Sequence, residues 1–125
     1  MCRNNVATGA TGTAIGTGSA NTTAIISAQG PPVTSYAAGL AGAYTGGGYT
    51  DWFLPSKDEL NKMYLNKATI NTTAAANSGS DFVSDYYSSS TEGDSSNAWE
   101  QDFYNGYQSI GNKSLTYDVR AVRAF

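Results

Sequence analysis

The sequence predicts a single α+β domain over residues 1–125, in which two or three N-terminal helices pack on a small antiparallel sheet with long loops. Length is one reason, because 125 residues suffice for one hydrophobic core but not for two. Order is the second, because the helix signals precede the strand signals. Composition is the third: charged residues make up only 14% of the chain, and loop-forming glycine and small polar residues take their place.

The first helix is predicted from its two ends. Residues 1–20 are rich in Gly, Thr and Ala, and we interpret them as a loop with one short strand near Thr13–Ile15. Asn21 is a favourable N-cap residue. The helix that it begins should end at Gln29, because Gly30 and two prolines follow.

A second helix is predicted after Ser35, which is another N-cap residue. Five of its apolar residues fall on one face at helical spacing: Tyr36, Ala37, Leu40, Ala41 and Tyr44. The three glycines at 46–48 then favour a tight turn.

The third helix has the clearest local signal. Ser56 and Glu59 have the spacing of a capping box and follow Pro55, so a helix should begin here and continue to Lys67. Residues 69–80 are polar, and we interpret them as a loop.

Strand signals occupy the rest of the chain. Residues 82–89 indicate a first strand, and alternation of Trp99, Gln101 and Phe103 indicates a second. Asn105-Gly106 is a strong hairpin signal, so residues 107–110 should return along the second strand. A further turn is expected at Gly111-Asn112. A closing strand over 119–125 would place Val119, Ala121, Arg123 and Phe125 on one face and Arg120 and Val122 on the other.

Composition disfavours several classes of function. The net charge is −3 and Lys and Arg are not clustered, which disfavours nucleic-acid binding. The chain has no His, and its one cysteine, Cys2, has no base beside it in sequence. We therefore expect no catalytic residues, no metal and no cofactor. The apolar runs are too short for a bilayer and Met1-Cys2-Arg3 opens no signal peptide, so we expect no direct membrane insertion.

Two segments are specific enough to indicate a family: GYTDWFLPSKDEL (48–60) and the terminal VRAVRAF (119–125). Together with GTAIGTGSANTTAIISAQG (12–30), SYAAGLAG (35–42), SSSTE (88–92) and NAW (97–99), they resemble the Lcl-type C-terminal domain. That domain occurs in collagen-like adhesins and in variable proteins of diversity-generating retroelements. The resemblance implies a C-type-lectin-like fold of the formylglycine-generating-enzyme type, with ligands bound at an exposed face built by the C-terminal segment.

The resemblance to retroelement variable proteins also implies a pattern of residue types. Variation in such proteins enters at adenines, mostly in Asn codons, which can yield many residue types but never Lys, Glu, Gln, Met or Trp. Trp99, Gln101, Gln108 and Lys113 therefore stand as fixed framework between stretches that lack all five types, and Glu100 also falls outside the allowed set. We accordingly interpret residues 86–125 as the variable, ligand-binding segment.

The predicted ligand-binding face takes its residues from the stretches between those framework positions. It consists of Gly93, Asp94, Ser95, Ser96, Asn97, Asp102, Tyr104, Tyr107, Ser109, Ile110, Asn112, Ser114, Leu115, Thr116, Tyr117 and Asp118. The alternative is an undiversified family member, an adhesin or glycan-binding surface domain, whose loops are rich in Ser, Gly, Asn and Asp because those residues form turns.

Several side chains have two interpretations. Tyr104, Tyr107 and Tyr117 would either contact the ligand or pack across the hairpin. Glu92, Asp94, Glu100 and Asp102 could bind Ca²⁺, although solvated loop carboxylates are favoured. Trp52 and Trp99 are expected in the core, and Arg120 and Arg123 are expected to pair with carboxylates or backbone carbonyls inside the fold.

The expected partner is a protein or glycan on another cell or particle, which would place the chain at a cell or virion surface. A monomer is expected, with a trimer beneath a fibrous stalk as the alternative, although the sequence has neither Gly-X-Y nor heptad repeats. The abrupt beginning at Met1 is interpreted as an internal boundary of a longer protein.

Overall fold

A computed structural model describes residues 6–124, so predictions that concern Cys2 and Phe125 lie outside the described residues. The helices are α1 (Gly18–Gln29), α2 (Ala37–Ala43), α3 (Lys57–Leu65) and α4 (Lys67–Ala76), with short 3₁₀ turns at Val33–Ser35 and Gly46–Gly48. The strands are β1 (Tyr86–Glu92), β2 (Asn97–Asp102) and β3 (Gln108–Asn112), which form an antiparallel sheet in the order β1-β2-β3. The predicted α+β class, with helices preceding a small sheet, is confirmed, but this part of the chain has four helices rather than two or three.

The additional helix is α4, and the prediction of a polar loop over 69–80 is wrong for most of its length. None of the residues of α4 is buried, so the segment carries no marked apolar face that would reveal a helix in sequence. Its helical state agrees with the high helix propensity of alanine, and Thr72 Oγ1 donates back to the carbonyl of Ala68 at 2.9 Å.

The predicted capping box of α3 is confirmed, and it also joins three parts of the chain. The Ser56 hydroxyl accepts from the Glu59 amide at 3.3 Å, and the Glu59 carboxylate accepts from the Ser56 amide at 2.8 Å. The same hydroxyl donates to the carbonyl of Ala14 at 3.0 Å, while the Lys57 amide donates to the Thr91 hydroxyl at 2.9 Å. The N-terminus of α3 is thereby fixed to the N-terminal loop and to β1.

Residues 6–17 contain no strand, so the prediction near Thr13–Ile15 is wrong. The carbonyls of Thr13 and Ala14 accept from the first residues of α3 instead of from a neighbouring strand. Asn21 is not an N-cap either, because α1 begins at Gly18. Its side chain is buried and exchanges hydrogen bonds of 2.7 and 3.2 Å with the backbone of Gly12. The end of α1 at Gln29, before a left-handed Gly30, agrees with the prediction.

The second helix is present, but Ser35 does not cap it. Ser35 lies in the preceding 3₁₀ turn, and Tyr36 is the residue that precedes α2. Only part of the predicted buried face is buried: Tyr36, Ala37 and Ala41 are in the core, whereas Leu40 and Tyr44 are 46% and 51% exposed. The predicted turn at 46–48 is present, with Gly47 and Gly48 in left-handed conformations.

A hairpin is present at Asn105-Gly106 as predicted, but its connection spans residues 103–107 rather than two residues, and of the pair only Gly106 has a positive φ. Strand β1 begins at Tyr86, later than predicted, although Phe82 is buried ahead of it. The turn expected at Gly111-Asn112 begins one residue later, at Lys113.

Residues 119–124 do not form the predicted closing strand. Among residues 118–124 the pairing consists of isolated bridges, between Val122 and Phe53 and between Asp118 and Tyr87. The alternating side chains of this segment still pack as strand residues do, because Val119 and Ala121 contact the first core cluster.

Two buried clusters hold the elements together. The first lies between α1, α2 and the N-terminal loop and contains Ala10, Ile25, Tyr36, Ala37, Ala38, Ala41 and Leu54. The second joins α3 to the sheet through Leu60, Phe82, Tyr87 and Phe103, whose aromatic rings lie 4.5 to 5.4 Å apart. Burial of such rings contributes more than their area alone would give, by about 0.5–1.5 kcal/mol for each pair.

The predicted core tryptophans are only half-buried. Trp52 donates to the carbonyl of Gly46 at 3.1 Å, and Trp99 lies beneath the ammonium of Lys57 at 3.8 Å. The predicted partners of the two arginines are confirmed, but the pairs lie at the surface rather than inside the fold. Arg120 donates to the carbonyl of Ser80 at 3.0 Å, and Arg123 makes a bidentate ion pair with Asp51 at 2.7 and 3.1 Å.

A buried ion pair joins Lys113 to Glu92, with side chains 2% and 8% exposed. The Lys113 ammonium also donates to the carbonyl of Val6 at 2.9 Å, and the same Glu92 oxygen accepts from the amide of Thr8 at 2.8 Å. Burial tends to raise the pKa of Glu92, but the hydrogen bonds from Lys113 and Thr8 outweigh it and lower that pKa below its ordinary value.

Lys113→Met is expected to lower the free energy of unfolding by about 3 kcal/mol, because it leaves a buried carboxylate without its cation. Urea unfolding at neutral pH measures the change. Lys62→Met, at an exposed lysine, is the matched control and should change stability by less than about 0.5 kcal/mol.

The difference between wild type and Lys113→Met should shrink as the pH falls from neutral towards about 3. The folded pKa of Glu92 is lowered, so its contribution to stability is present above its unfolded pKa of about 4.3 and is lost as the pH falls through the folded value. Equal destabilisation by both lysine variants, or a difference that does not depend on pH, would contradict this role.

Candidate binding face

None of the sixteen residues predicted for the binding face is buried. Ten are exposed: Gly93, Asp94, Ser95, Tyr104, Tyr107, Ile110, Asn112, Ser114, Leu115 and Thr116. The other six, Ser96, Asn97, Asp102, Ser109, Tyr117 and Asp118, are half-buried. The two hairpin tyrosines are the most prominent, with Tyr104 74% and Tyr107 64% exposed.

The framework residues between them point into the molecule. Gln101 is 0% exposed, and its amide donates to Asn61 of α3 at 2.9 Å and to the carbonyl of Gly106 at 3.1 Å. Gln108 is half-buried and donates to the carbonyl of Lys57 at 3.2 Å. Lys113 is 1% exposed. The predicted framework therefore anchors the sheet to α3 and to the N-terminal segment.

The strand register places framework residues and predicted face residues on both faces of the sheet. Opposite residues of an antiparallel pair share one face of the sheet. Trp99 lies opposite Ile110 and Gln101 opposite Gln108, on the face that meets α3. Glu100 lies opposite Ser109, on the outer face.

Most of the predicted residues gather at the two ends of the sheet rather than in one compact cluster, whereas Ser109 and Ile110 lie within β3. The β1–β2 loop and the turn after β3 lie at one end, where the Lys113 amide donates to the carbonyl of Ser96 at 2.9 Å. Asp102, Tyr104 and Tyr107 lie at the other end, on the β2–β3 hairpin. Strand β3 has five residues, so the ends are roughly 17 Å apart.

Tyr117 lies over the outer face of the sheet between these two ends. Its ring contacts that of Tyr86 at 5.5 Å, and its hydroxyl hydrogen-bonds the buried carboxyl of Glu100. Gly111 makes this possible, since a Cβ there would lie 1.7 Å from Glu100 Oε1. Sequence reasoning omitted Tyr86 from the face. Its place in a run of small polar residues was the available signal.

Burial governs the titration of this pair. Burial raises the pKa of Glu100, with the Tyr117 hydrogen bond opposing it. Burial and then the interaction with Glu100 raise the pKa of Tyr117 to about 12. The carboxyl is thus covered by the phenol rather than open to solvent.

Several predicted residues have a local structural task. Asp94 accepts from the amides of Ser96 and Asn97 at 2.8 and 2.9 Å, and hydrogen bonds led by that from the Asn97 side chain lower its pKa. Asp102 accepts from the Tyr104 amide at 2.8 Å, and Asn112 accepts from the Ser114 amide at 2.9 Å. These are turn-forming contacts that Asp, Asn, Ser or Thr can each make.

Other predicted residues have side chains that make no hydrogen bond with the described part of the chain. They are Ser95, Tyr104, Tyr107, Ser109, Ile110, Leu115, Thr116 and Asp118. At Gly93 the nearest obstacle to a Cβ is the Cδ1 methyl of Ile110 at 3.2 Å, which is the mobile end of a side chain. These are the positions where the packing restricts residue type least.

The four carboxylates considered as calcium ligands do not converge. Glu92 pairs with Lys113, Asp94 closes a turn and Glu100 bonds Tyr117, and no group of three or more potential ligands is found among residues 6–124. The favoured interpretation as solvated loop carboxylates is wrong for Glu92 and Glu100, because Lys113 and Tyr117 cover them.

Comparison with known proteins identifies one family. The profile of the Lcl C-terminal domain matches residues 11–123. No curated protein and no solved structure matches the chain. Within residues 6–124, no helix has the length and apolarity needed to cross a membrane.

Glu100→Gln is expected to lower the pKa of Tyr117 from about 12 towards 10 without reaching it, because the charge is removed while the burial remains. NMR titration with ¹³Cζ-labelled tyrosine measures this shift. Asp102→Asn is the control, since it also removes a carboxylate of the outer face, but one that does not act on Tyr117. A Tyr117 pKa that Glu100→Gln leaves unchanged, or that both variants shift equally, would exclude the contact.

Proposed function

This chain belongs to the Lcl C-terminal domain family, and we propose that it is a ligand-recognition domain that displays a sequence-variable surface, as the target protein of a diversity-generating retroelement. Recognition would occur through shape and hydrogen-bond complementarity on a rigid scaffold, with no chemical step. The ligand would be a protein or a glycan on another cell or particle.

One observation carries the proposal: none of the sixteen face residues is buried, whereas three of the five framework positions are. The sixteen predicted residues, all of types that adenine-directed variation can yield, are exposed or half-buried. Gln101, Lys113 and Glu100, which that route cannot produce, are 0%, 1% and 6% exposed, and the other two such positions, Trp99 and Gln108, are half-buried. A surface whose side chains point to solvent while its anchors stay fixed can accept many sequences without unfolding.

The spacing of the two ends favours a macromolecular ligand. A standard protein interface buries roughly 800 Å² on each partner, which corresponds to a patch about 30 Å across. Both ends of the sheet, roughly 17 Å apart, fit within such a patch. A small molecule would reach only one end. Exposed Tyr104 and Tyr107 supply the rigid, amphipathic contact area that is common in recognition surfaces.

Charge and site chemistry support binding rather than catalysis or nucleic-acid contact. The chain has a net charge of −3 and no histidine. The buried carboxylates at the face are occupied by Lys113 and Tyr117. A monomer that carries the face at a cell or virion surface is the simplest arrangement, with a trimer as the alternative.

The second candidate is an undiversified adhesin or glycan-binding member of the family. The turn contacts of Asp94, Asp102 and Asn112 favour it, because they give a structural reason for the small polar residues of these loops. The coding DNA distinguishes the two. A near-copy of its 3′ end that differs at adenines, beside a reverse transcriptase gene, is expected for the retroelement target, and an undiversified member would have none.

A library that randomises the least restricted positions is expected to yield binders to unrelated protein targets. Those positions are Ser95, Tyr104, Tyr107, Ser109, Ile110, Leu115 and Thr116, and the library replaces each with a degenerate codon that yields the residue types of adenine variation. The free energy of unfolding of most members should lie within about 0.5 kcal/mol of the wild-type value, since surface substitutions rarely cost more. Surface display, selection on immobilised proteins and thermal unfolding measure both results.

A matched library on exposed positions of α1 and α4 is the control: Ser19, Ala20, Thr23, Ala68, Thr69, Thr72 and Thr73. It should remain folded but give far fewer binders. Equal yields from the two libraries, or loss of folding in the first alone, would refute a dedicated recognition face.

A further inference from the structure

A second concave surface lies apart from the sheet ends. It is a groove of about 1330 Å³ lined by residues from α2 and the turn that follows it, and by residues from the segments 77–83 and 118–123. Among the sixteen predicted face residues, Asp118 alone lines it. The groove is therefore built almost entirely from residues outside the variable set, and a ligand bound there would be common to all variants.

One wall of the groove is aromatic and is held in place before any ligand arrives. Tyr44 and Tyr49 are 51% and 49% exposed, and Tyr44 packs edge-on against the half-buried Trp52 at 5.0 Å. The Arg123 guanidinium lies 3.6 Å from the centre of the Tyr49 ring. A Cβ at Gly46 would come within 2.1 Å of the Tyr44 hydroxyl, so glycine is what allows the ring to lie there. Rings fixed in this way lose little side-chain entropy on binding.

Other residues that line the groove supply both hydrogen-bond acceptors and hydrogen-bond donors. The carboxylates of Asp81 and Asp118 make no hydrogen bond or ion pair within residues 6–124. Arg120 donates to the carbonyl of Ser80 from Nη1, and a guanidinium has further N–H groups to offer. The groove lining therefore supplies acceptors and a donor in addition to the aromatic rings.

The charges that line the groove nearly cancel. Asp51 neutralises Arg123 through their ion pair. Asp81, Asp118 and Arg120 also line the groove, which leaves about one negative charge. A groove with this balance does not attract polyanions, which need grouped cations.

We propose that this groove binds an uncharged oligosaccharide. A pyranose ring has an apolar C–H face that can lie on an aromatic ring, and its hydroxyls both donate and accept. The aromatic residues of the groove suit the C–H face of the sugar, and its polar residues suit the hydroxyls. The volume exceeds the roughly 300–1,000 Å³ of ordinary small-molecule pockets, which favours a chain of several sugar rings over a single one.

A proline-rich peptide is the competing occupant, because such peptides dock in aromatic-lined grooves. The indole N–H of Trp52 argues against it. That group already donates to the carbonyl of Gly46 at 3.1 Å, so it is not available for a peptide carbonyl. Unpaired carboxylates are likewise better suited to sugar hydroxyls than to a proline backbone, which has no N–H.

NMR titration of the ¹⁵N-labelled domain tests the proposal. The probes are short neutral gluco-, manno-, galacto- and N-acetylglucosamine oligosaccharides, with heparin and polyproline as comparators. The chain has two tryptophans, and Trp99→Phe assigns their indole resonances. At least one neutral oligosaccharide should shift the indole N–H of Trp52 and leave that of Trp99 in place.

Paired double variants then locate the site. Tyr44→Ala/Tyr49→Ala should weaken sugar binding roughly tenfold, as expected for the loss of two aromatic contacts. Tyr104→Ala/Tyr107→Ala, which removes two tyrosines from the hairpin, should leave sugar binding unchanged while impairing recognition at the sheet ends. The two proposals can thus fail separately.

Asp81→Asn provides the deciding measurement if the groove double variant unfolds, because Asp81 is exposed and its carboxylate is not hydrogen-bonded. It should weaken sugar binding severalfold with unchanged thermal unfolding. Four results would overturn the proposal: no shift with any neutral sugar, shifts at Trp99 instead, equal affinity in the groove variants, or a response of Trp52 to heparin or polyproline in preference to sugars.

Discussion

The buried ammonium of Lys113 is the contact on which the C-terminal loops depend. It joins the turn after β3 to Glu92 at the end of β1 and to the carbonyl of Val6 in the N-terminal segment. A buried charge tolerates little displacement, because each lost partner leaves a desolvated ion. The backbone on both sides of Lys113 is therefore fixed, although the neighbouring side chains of Asn112 and Ser114 are exposed. A recognition loop requires this arrangement, in which buried contacts hold the backbone while the neighbouring side chains remain exposed to solvent.

The remaining rigidity of the sheet comes from its contact with α3. Gln101 and Gln108 reach the backbone and side chains of that helix, and the aromatic cluster around Phe103 fills the space behind them. The capping box of α3 extends the connection, since Lys57 also contacts Thr91 of β1. One face of the sheet is consequently determined by tertiary packing. On the outer face, Tyr117 covers Glu100.

Local signals were sufficient for the elements that local chemistry creates. Ser56 and Glu59 specify the beginning of α3, and Asn105-Gly106 specifies the hairpin, because each acts within a few residues. The prediction of Asn21 as an N-cap is wrong because its amide does not act locally. A side-chain amide that can cap a helix can equally bind a distant part of the backbone, here that of Gly12. Residue types indicated which positions of the C-terminal segment would be exposed. Their division between two ends of the sheet depends on register, which no single segment encodes.

The groove was inaccessible to sequence reasoning because its walls come from separate segments. Asp118 belongs to both surfaces: its backbone bridges Tyr87 of β1, and its carboxylate lines the groove. Free variation at this position would alter the groove whenever it altered the recognition face. A constant second site is therefore compatible with diversification only if residue 118 is restricted more than residues 114–116. The bridge to β1 fixes the position of the residue 118 backbone, whatever its side chain. A role in the groove would in addition require that the side chain remain Asp.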